Sequence, residues 1–143
     1  IHCISSAASD VYSRQIGLYM APVAKHVYGV EIVPSAIQDA KQNALINHFD
    51  NTTFECGKAE EVIIDWKQKG IEPDVVMVDP PRKGCDQVFI ETLLELAPKR
   101  IVYISCNPST QQRDAQLLAN IYNLKEITPV DMFPHTTHIE TVA

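Results

Sequence analysis

The sequence lacks the features of a membrane or exported protein. No apolar run approaches the ~18–20 residues needed to span a bilayer, and the opening segment, IHCISSAASD, has neither the basic flank nor the long apolar core of a signal peptide. No CxxC pair occurs, which argues against a zinc knuckle or a redox motif; the four cysteines are Cys3, Cys56, Cys85 and Cys106. These absences predict a soluble, cytoplasmic chain with free thiols and no membrane partner.

Basic residues are also few. The chain has 12 Lys and Arg against 18 Asp and Glu, a net charge of −6. A surface that binds nucleic acid needs clustered Lys and Arg to contact phosphates. Any binding of a nucleic acid is therefore expected to depend on residues outside this chain. The chain begins with Ile rather than Met and ends in the apolar run IETVA, as expected for a piece of a longer protein.

What the sequence does contain is enough apolar material for one domain, since 143 residues with 45% hydrophobic content can bury a core without disulfides. Strands are predicted at HVYGVEIV, TTFEC, PDVVMVDPP and RIVYISC, each followed by a helical segment. Pro34 begins the first of these helices, Gly70 ends the second and Asp86 caps the third. The alternation predicts a doubly wound α/β fold with a mostly parallel sheet.

The two ends of the chain complete the predicted sheet. LKEITPVDMF and THIETVA are predicted as closing strands, whereas the opening IHCISSAAS makes a poor central strand. We therefore expect residues 1–143 to form one domain.

The predicted strands end in residues with chemical character, namely Glu31, Asp79 and Cys106, and the closing hairpin carries Glu140. Ligands of doubly wound sheets bind at the carboxyl ends of the strands. Glu31 can accept hydrogen bonds from ribose hydroxyls, and the alternative is a solvated strand end. In DPPRKG the two prolines predict a rigid, extended exit that holds Asp79 and Arg82 facing one ligand, with an ordinary proline turn as the alternative.

Cys106 is predicted to lie just before a helix. Asn107 is a natural N-cap and Pro108 a natural first helical residue, and the partial positive charge of a helix N-terminus favours a thiolate. A buried structural cysteine is the alternative. Because Cys106 falls at the expected ligand edge, the sequence favours a nucleophile.

Three ordered motifs, DPPRKG, SCNPST and FPHTTHIE, resemble those of the S-adenosylmethionine-dependent RNA uracil-C5 methyltransferases, which make 5-methyluridine in tRNA or rRNA. The resemblance runs from about Gly17 to Ala143. It implies a Rossmann-like class I methyltransferase domain, S-adenosylmethionine as cofactor and an RNA substrate. The upstream RNA-binding regions of that family are expected to lie outside this sequence, which agrees with the acidic charge.

The resemblance also implies roles for individual residues. Cys106 would be the nucleophile and Glu140 the base, whereas Glu31 would hold the cofactor ribose and Tyr12 would lie near the cofactor. Asp79 would contact the cofactor or the target base. By its chemistry, Arg82 is a candidate donor to the O4 edge of uracil.

One segment departs from the family pattern. Members carry a glycine-rich turn, DxYCGxGxxxL, where this chain has DVYSRQIGL, Asp10 to Leu18, without the paired glycines that let backbone approach a cofactor. We therefore expect weak cofactor binding.

Two other functions remain open. One is a methyltransferase-like module that serves as a scaffold without catalysis. The other is an amino-methyltransferase, against which Arg82, in place of the aromatic residue of such sites, argues together with Cys106 and Glu140. His135 and His138 have no partners that complete a ligand set, so no metal is predicted, and they are expected to order the loop around Glu140.

Overall fold

The computed structural model describes residues 2–7, 15–132, 134–136 and 138–143. Seven strands and five helices alternate in these ranges: β1 His2–Ala7, α1 Gln15–Met20, β2 His26–Glu31, α2 Pro34–Ile46, β3 Thr52–Cys56, α3 Ala59–Gln68, β4 Val75–Asp79, α4 Gln87–Leu96, β5 Arg100–Ser105, α5 Pro108–Leu118, β6 Thr128–Val130 and β7 Glu140–Val142.

The strands form one sheet in the order β3-β2-β1-β4-β5-β7-β6. The first five strands are parallel, and β7 runs antiparallel to both β5 and β6. The chain proceeds outward from β1 to β3 on one side and from β4 to β5 on the other, so the direction of winding reverses between β1 and β4. This confirms the predicted doubly wound α/β fold with a closing antiparallel pair, and it places a ligand crevice at the β1/β4 reversal.

The prediction that the opening segment makes a poor central strand is wrong. β1 pairs with β2 on one side and with β4 on the other, and the side chains of Cys3 and Ile4 are fully buried. Serines in the segment lower its intrinsic strand preference, but ladders on both edges and two buried side chains outweigh that preference.

Helices cover both faces of the sheet. On one face, α3, α4 and α5 pack their apolar side chains around Trp66 against β1, β2, β4 and β5. On the other face, α2 packs against Phe54 of β3, and Leu18 of α1 joins this smaller cluster. No described helix is long and apolar enough to cross a membrane.

The predicted helix boundaries are also confirmed. Pro34 is the first residue of α2, and Gly70 follows α3 with φ of 79°. The Asp86 side chain accepts a hydrogen bond from the Phe89 amide at the start of α4, and Asn107 accepts one from the Ser109 amide at the start of α5. These caps fix where each helix begins relative to the strand before it.

Candidate functional site

A cavity of about 390 Å³ opens at the carboxyl ends of the central strands. Its wall is formed by the end of β2, the turn from β3 into α3, and the segments Val78 to Pro81 and Lys83 to Asp86 with Phe89 of α4. A volume in this range suits a small-molecule ligand. The cavity lies beside the β1/β4 reversal, where a doubly wound sheet is expected to bind one.

Glu31 lies in the wall of this cavity and is 4% exposed. One carboxylate oxygen accepts a hydrogen bond of 3.0 Å from the Val33 amide, and the Glu31 carbonyl accepts one from the Gly57 amide. The alternative of a solvated strand end is therefore wrong, and the structure holds a buried carboxylate at the cavity.

Asp79 ends β4 and also lines the cavity. The following chain turns sharply, because the Gly84 amide donates to the Pro81 carbonyl at 2.8 Å. Arg82 lies at this turn, outside the cavity, and its guanidinium contacts Nδ1 of His138. A ligand that touched both Asp79 and Arg82 would have to extend from the cavity to the residues that precede β7.

Cys106 lies between β5 and α5, half-buried. The strand before it and the helix after it are tied together by Ser105, whose hydroxyl accepts from the Asn107 amide at 3.0 Å and lies 3.1 Å from the Asn107 carbonyl. The cysteine thus lies in a short, fixed connection directly before the first turn of α5, as predicted.

Glu140, the first residue of β7, comes opposite Cys106. The antiparallel register of β5 and β7 pairs Ile104 with Val142 and Ser105 with Thr141. Continuing this register by one residue pairs Cys106 with Glu140. By this extension of the register, two residues that are 34 positions apart in the sequence fall at neighbouring strand ends, on the same edge of the sheet as the cavity.

The DPPRKG and SCNPST segments are joined by hydrogen bonds. The Arg82 carbonyl accepts from the Asn107 side-chain amide at 3.1 Å and from the Thr110 hydroxyl at 3.2 Å. The Arg113 guanidinium donates to the carbonyls of Lys83 and Cys85. The turn after β4 is thereby held against the first turns of α5.

A buried carboxylate lies beneath that junction. Asp114, fully buried, accepts from the Cys85 amide at 2.7 Å and the Tyr103 hydroxyl at 2.6 Å, and Arg113 donates to its other oxygen. Gly84 has φ of 80°, and a Cβ there would lie 2.6 Å from an Asp114 oxygen, so the close approach needs glycine.

Sequence reasoning missed this network. The sequence of α5 did contain a signal. Its buried positions, Gln111, Asp114 and Leu118, recur at a helical spacing of three and four residues, and the first two are polar. Polar side chains on the apolar face of a helix indicate buried hydrogen bonds.

The other cysteines differ in reactivity. Burial raises the pKa of Cys85 to about 12 and that of Cys3 to about 11, so both remain thiols at neutral pH. Cys56 is exposed. Although Cys85 lines the cavity, its thiol points its hydrogen bond at Tyr103 and is a poor nucleophile.

Two further points concern Tyr12 and metal binding. Tyr12 and most of the segment from Asp10 to Leu18 lie outside the described residues, so the role of Tyr12 stays a prediction. Among the residues that the structure does describe, no group of three or more His, Cys, Asp or Glu side chains could hold a metal ion.

Comparison with known proteins identifies relatives over most of this chain. The family model of tRNA (uracil-5-)-methyltransferases matches residues 13–143. An uncharacterised RNA methyltransferase of Staphylococcus aureus strain COL is 78% identical over 128 residues, which are 90% of this chain and 28% of that protein. One from Staphylococcus epidermidis strain ATCC 12228 is 77% identical over the same length. The chain thus spans less than a third of these relatives.

Solved structures agree with the sequence comparison. The Pyrococcus abyssi tRNA (uracil-54, C5)-methyltransferase, in complex with S-adenosyl-L-homocysteine, superposes with a TM-score of 0.82 at 37% identity, over 97% of this chain and 33% of that one. A precorrin-8w decarboxylase from Methanobacterium thermoautotrophicum gives a TM-score of 0.69 at 17% identity, over 96% of this chain and 79% of that one. The second likeness shows the fold alone.

Proposed function

The chain belongs to the tRNA (uracil-5-)-methyltransferase family, and on that premise we propose that it carries the site that transfers a methyl group from S-adenosylmethionine to C5 of a uridine in tRNA or rRNA. The observation that supports this most is the β5/β7 pairing, which ends at Ser105 and Thr141 and leaves Cys106 and Glu140 next in register, at the edge of the sheet where the cavity opens. A cytoplasmic location, where such RNAs are found, belongs to the same proposal.

The cavity fits the cofactor by its chemistry. Glu31 presents a buried carboxylate that suits the ribose hydroxyls of a nucleoside, and Asp79 and Phe89 add a polar and an aromatic wall. Bound S-adenosylmethionine would supply an electrophilic methyl group. The family's structural neighbour was crystallised with S-adenosyl-L-homocysteine, which supports this choice of ligand.

Cys106 activates the uracil ring, because uracil C5 alone is a weak nucleophile. The thiolate adds to C6, and the C5–C6 electron pair moves toward C4 and O4, which makes C5 able to accept the methyl group. Negative charge then develops on O4. Arg82, held at the turn near the residues before β7, is the proposed donor to that oxygen.

Glu140 has the task of completing the reaction. After methyl transfer C5 still carries its proton, while C6 is bonded to the Cys106 sulfur. The Glu140 carboxylate removes that proton, the C5–C6 double bond re-forms and the C6–S bond breaks, which returns Cys106 as a thiolate. The register, extended by one residue, puts Cys106 and Glu140 at neighbouring strand ends, which suits these two roles because both side chains must reach the same uracil ring.

We further propose that residues 1–143 form one catalytic domain that depends on other parts of a longer protein to hold RNA. A net charge of −6 gives little attraction for phosphate. A catalytically silent scaffold is the second candidate, favoured by one observation: the segment from Asp10 to Leu18 lacks the paired glycines of a cofactor turn.

An activity assay separates these candidates. We expect the 143-residue chain, incubated with tritiated S-adenosylmethionine and unmodified tRNA or rRNA, to turn over far below the ~1 s⁻¹ of ordinary enzymes. A chimera, in which the matched 128 residues of this chain replace those of the S. aureus relative, regains the remaining length of that protein. We expect the chimera to methylate uridine at C5.

Two results would decide against the proposal. A chimera that binds RNA and cofactor but transfers no methyl group would favour the scaffold. An isolated chain that turns over at ordinary enzyme rates would contradict the proposed dependence on other parts.

A further inference from the structure

A buried amide bridges β5, which ends just before Cys106, and β7, which begins with Glu140. Gln111, in the first turns of α5 and 5% exposed, donates from its side-chain nitrogen to the Tyr103 carbonyl of β5 at 2.9 Å and toward the Thr141 carbonyl of β7 at 3.4 Å. The Thr141 hydroxyl lies 2.7 Å from the Gln111 side-chain oxygen. One side chain therefore contacts both strands.

On β7 the bridge lies one residue from Glu140, and on β5 it reaches Tyr103 directly and Ser105 only through Thr141. Thr141 directly follows Glu140, and Ser105 directly precedes Cys106. The Thr141 hydroxyl also lies 3.2 Å from the Ser105 carbonyl. Because successive strand residues point to opposite faces, the buried side of Ser105 and Thr141 is the back of the site and Glu140 faces the other way.

The two strands are not held equally well. β5 has a parallel ladder with β4 and continues through the Ser105–Asn107 bonds into α5, so Cys106 has independent support. β7 has three residues, and its other neighbour, β6, is equally short, with all three residues exposed to solvent. The main-chain bonds between Tyr103 and Ala143 hold the far end of β7. The end next to Glu140 is held by the pairing of Glu140 with Val130 of β6, by the Thr141–Ser105 contact and by the Gln111 bridge.

We propose, on the basis of the function proposed above, that Gln111 is a positioning residue for the proton-removal step. It fixes Thr141, and through Thr141 the backbone of Glu140, at the register that faces Cys106. Loss of the bridge lets the start of β7 shift, and general-base catalysis is sensitive to displacements of about 1 Å. Cys106 keeps the β4 ladder and the Ser105–Asn107 bonds, neither of which involves Gln111, so its addition is affected little.

Two RNA substrates separate these steps in the chimera. An RNA with 5-fluorouridine at the target accepts Cys106 and the methyl group but offers no proton to remove, so the rate of adduct formation reports addition and transfer. Ordinary uridine RNA also requires Glu140, so release of methylated RNA reports the whole reaction. For Gln111→Leu we expect adduct formation within about twofold of wild type and release slowed by about tenfold or more.

Matched variants sharpen the comparison. Gln112→Leu makes the same change at the exposed neighbour in α5 and should change neither rate. Thr141→Val removes the partner hydroxyl while keeping the side-chain shape, so it should give the same split between the two rates, even if Gln111→Leu does not fold. The double variant should be no worse than the poorer single one, because both remove the same contact.

Equal slowing of adduct formation and release, or unchanged release, in the folded variants would overturn the role of Gln111. A wild-type chimera that forms no adduct would instead overturn the proposed function itself, and the role of Gln111 with it. The two failures are therefore distinguishable.

Discussion

Glu140→Gln, made in the chimera, is expected to remain covalently bound to its RNA after methyl transfer. The neutral amide is a far weaker base than a carboxylate, and positioned general bases contribute roughly 10²- to 10⁴-fold to rate. Addition of Cys106 and methyl transfer need no base at C5, so they should proceed. The methylated RNA–protein adduct should accumulate and its release should slow by at least about 100-fold, measured on denaturing gels with uridine RNA.

The control for this variant is Glu72→Gln. Glu72 is exposed and precedes β4, at the edge of the sheet away from the cavity, so the same chemical change there should leave release unchanged. Wild-type turnover by Glu140→Gln would assign the proton to another group and remove Glu140 from the mechanism.

Among the variants proposed here, Asp114→Ala is expected to cause the largest decrease in the free energy of unfolding. The substitution removes the acceptor of the Cys85 amide and the Tyr103 hydroxyl, and each buried donor left without a partner costs about 1–3 kcal/mol. Arg113 is half-exposed and can turn to water, so it adds little. We expect a loss of about 3 kcal/mol and a fall in Tm on the order of 10 °C, measured by thermal unfolding of the 143-residue chain.

Asp131→Ala is the matched control, because Asp131 is exposed, and its Tm should stay close to that of the wild type. If Asp114→Ala melts with the control, the network contributes little to the fold and the turn from Pro81 to Cys85 must be held by other contacts.

The same network makes the stability of the fold decrease at high pH. Burial first, and the hydrogen bond to Asp114 second, raise the pKa of Tyr103 above its usual value. The folded state therefore favours the neutral phenol of Tyr103. Its contribution to the free energy of unfolding is complete below the unfolded pKa of about 10 and is lost as the pH rises beyond it.

Regular patterns explain what the sequence could predict. The fold class followed from strands separated by helices, and the starts of α4 and α5 followed from Asp86 and Asn107, because capping depends on residues only two or three positions apart. Glu31 and Asp79 were found as strand ends, since parallel strands end at one edge of a sheet. The burial of Glu31 and the cavity that both residues line required the structure.

Long-range contacts explain what the sequence could not predict. β1 is central because of its neighbours rather than its own composition. The contact between Gln111 and Thr141 joins residues 30 positions apart, and no local periodicity reports such a pair. The same holds for Arg82 and His138: a proline-rich turn was visible in the sequence, but the direction in which its arginine extends was not.

The most direct test of the central claim, that Cys106 is the nucleophile at C6, is the mass of the covalent complex formed with RNA that carries 5-fluorouridine at the target position. Fluorine cannot leave C5 as a cation, so the reaction should stop with the methylated ring bonded to the enzyme. Digestion and mass spectrometry of the chimera should place the nucleotide on the peptide that contains Cys106, and Cys106→Ala should form none. An adduct on another residue, or an undiminished adduct in Cys106→Ala, would contradict the account.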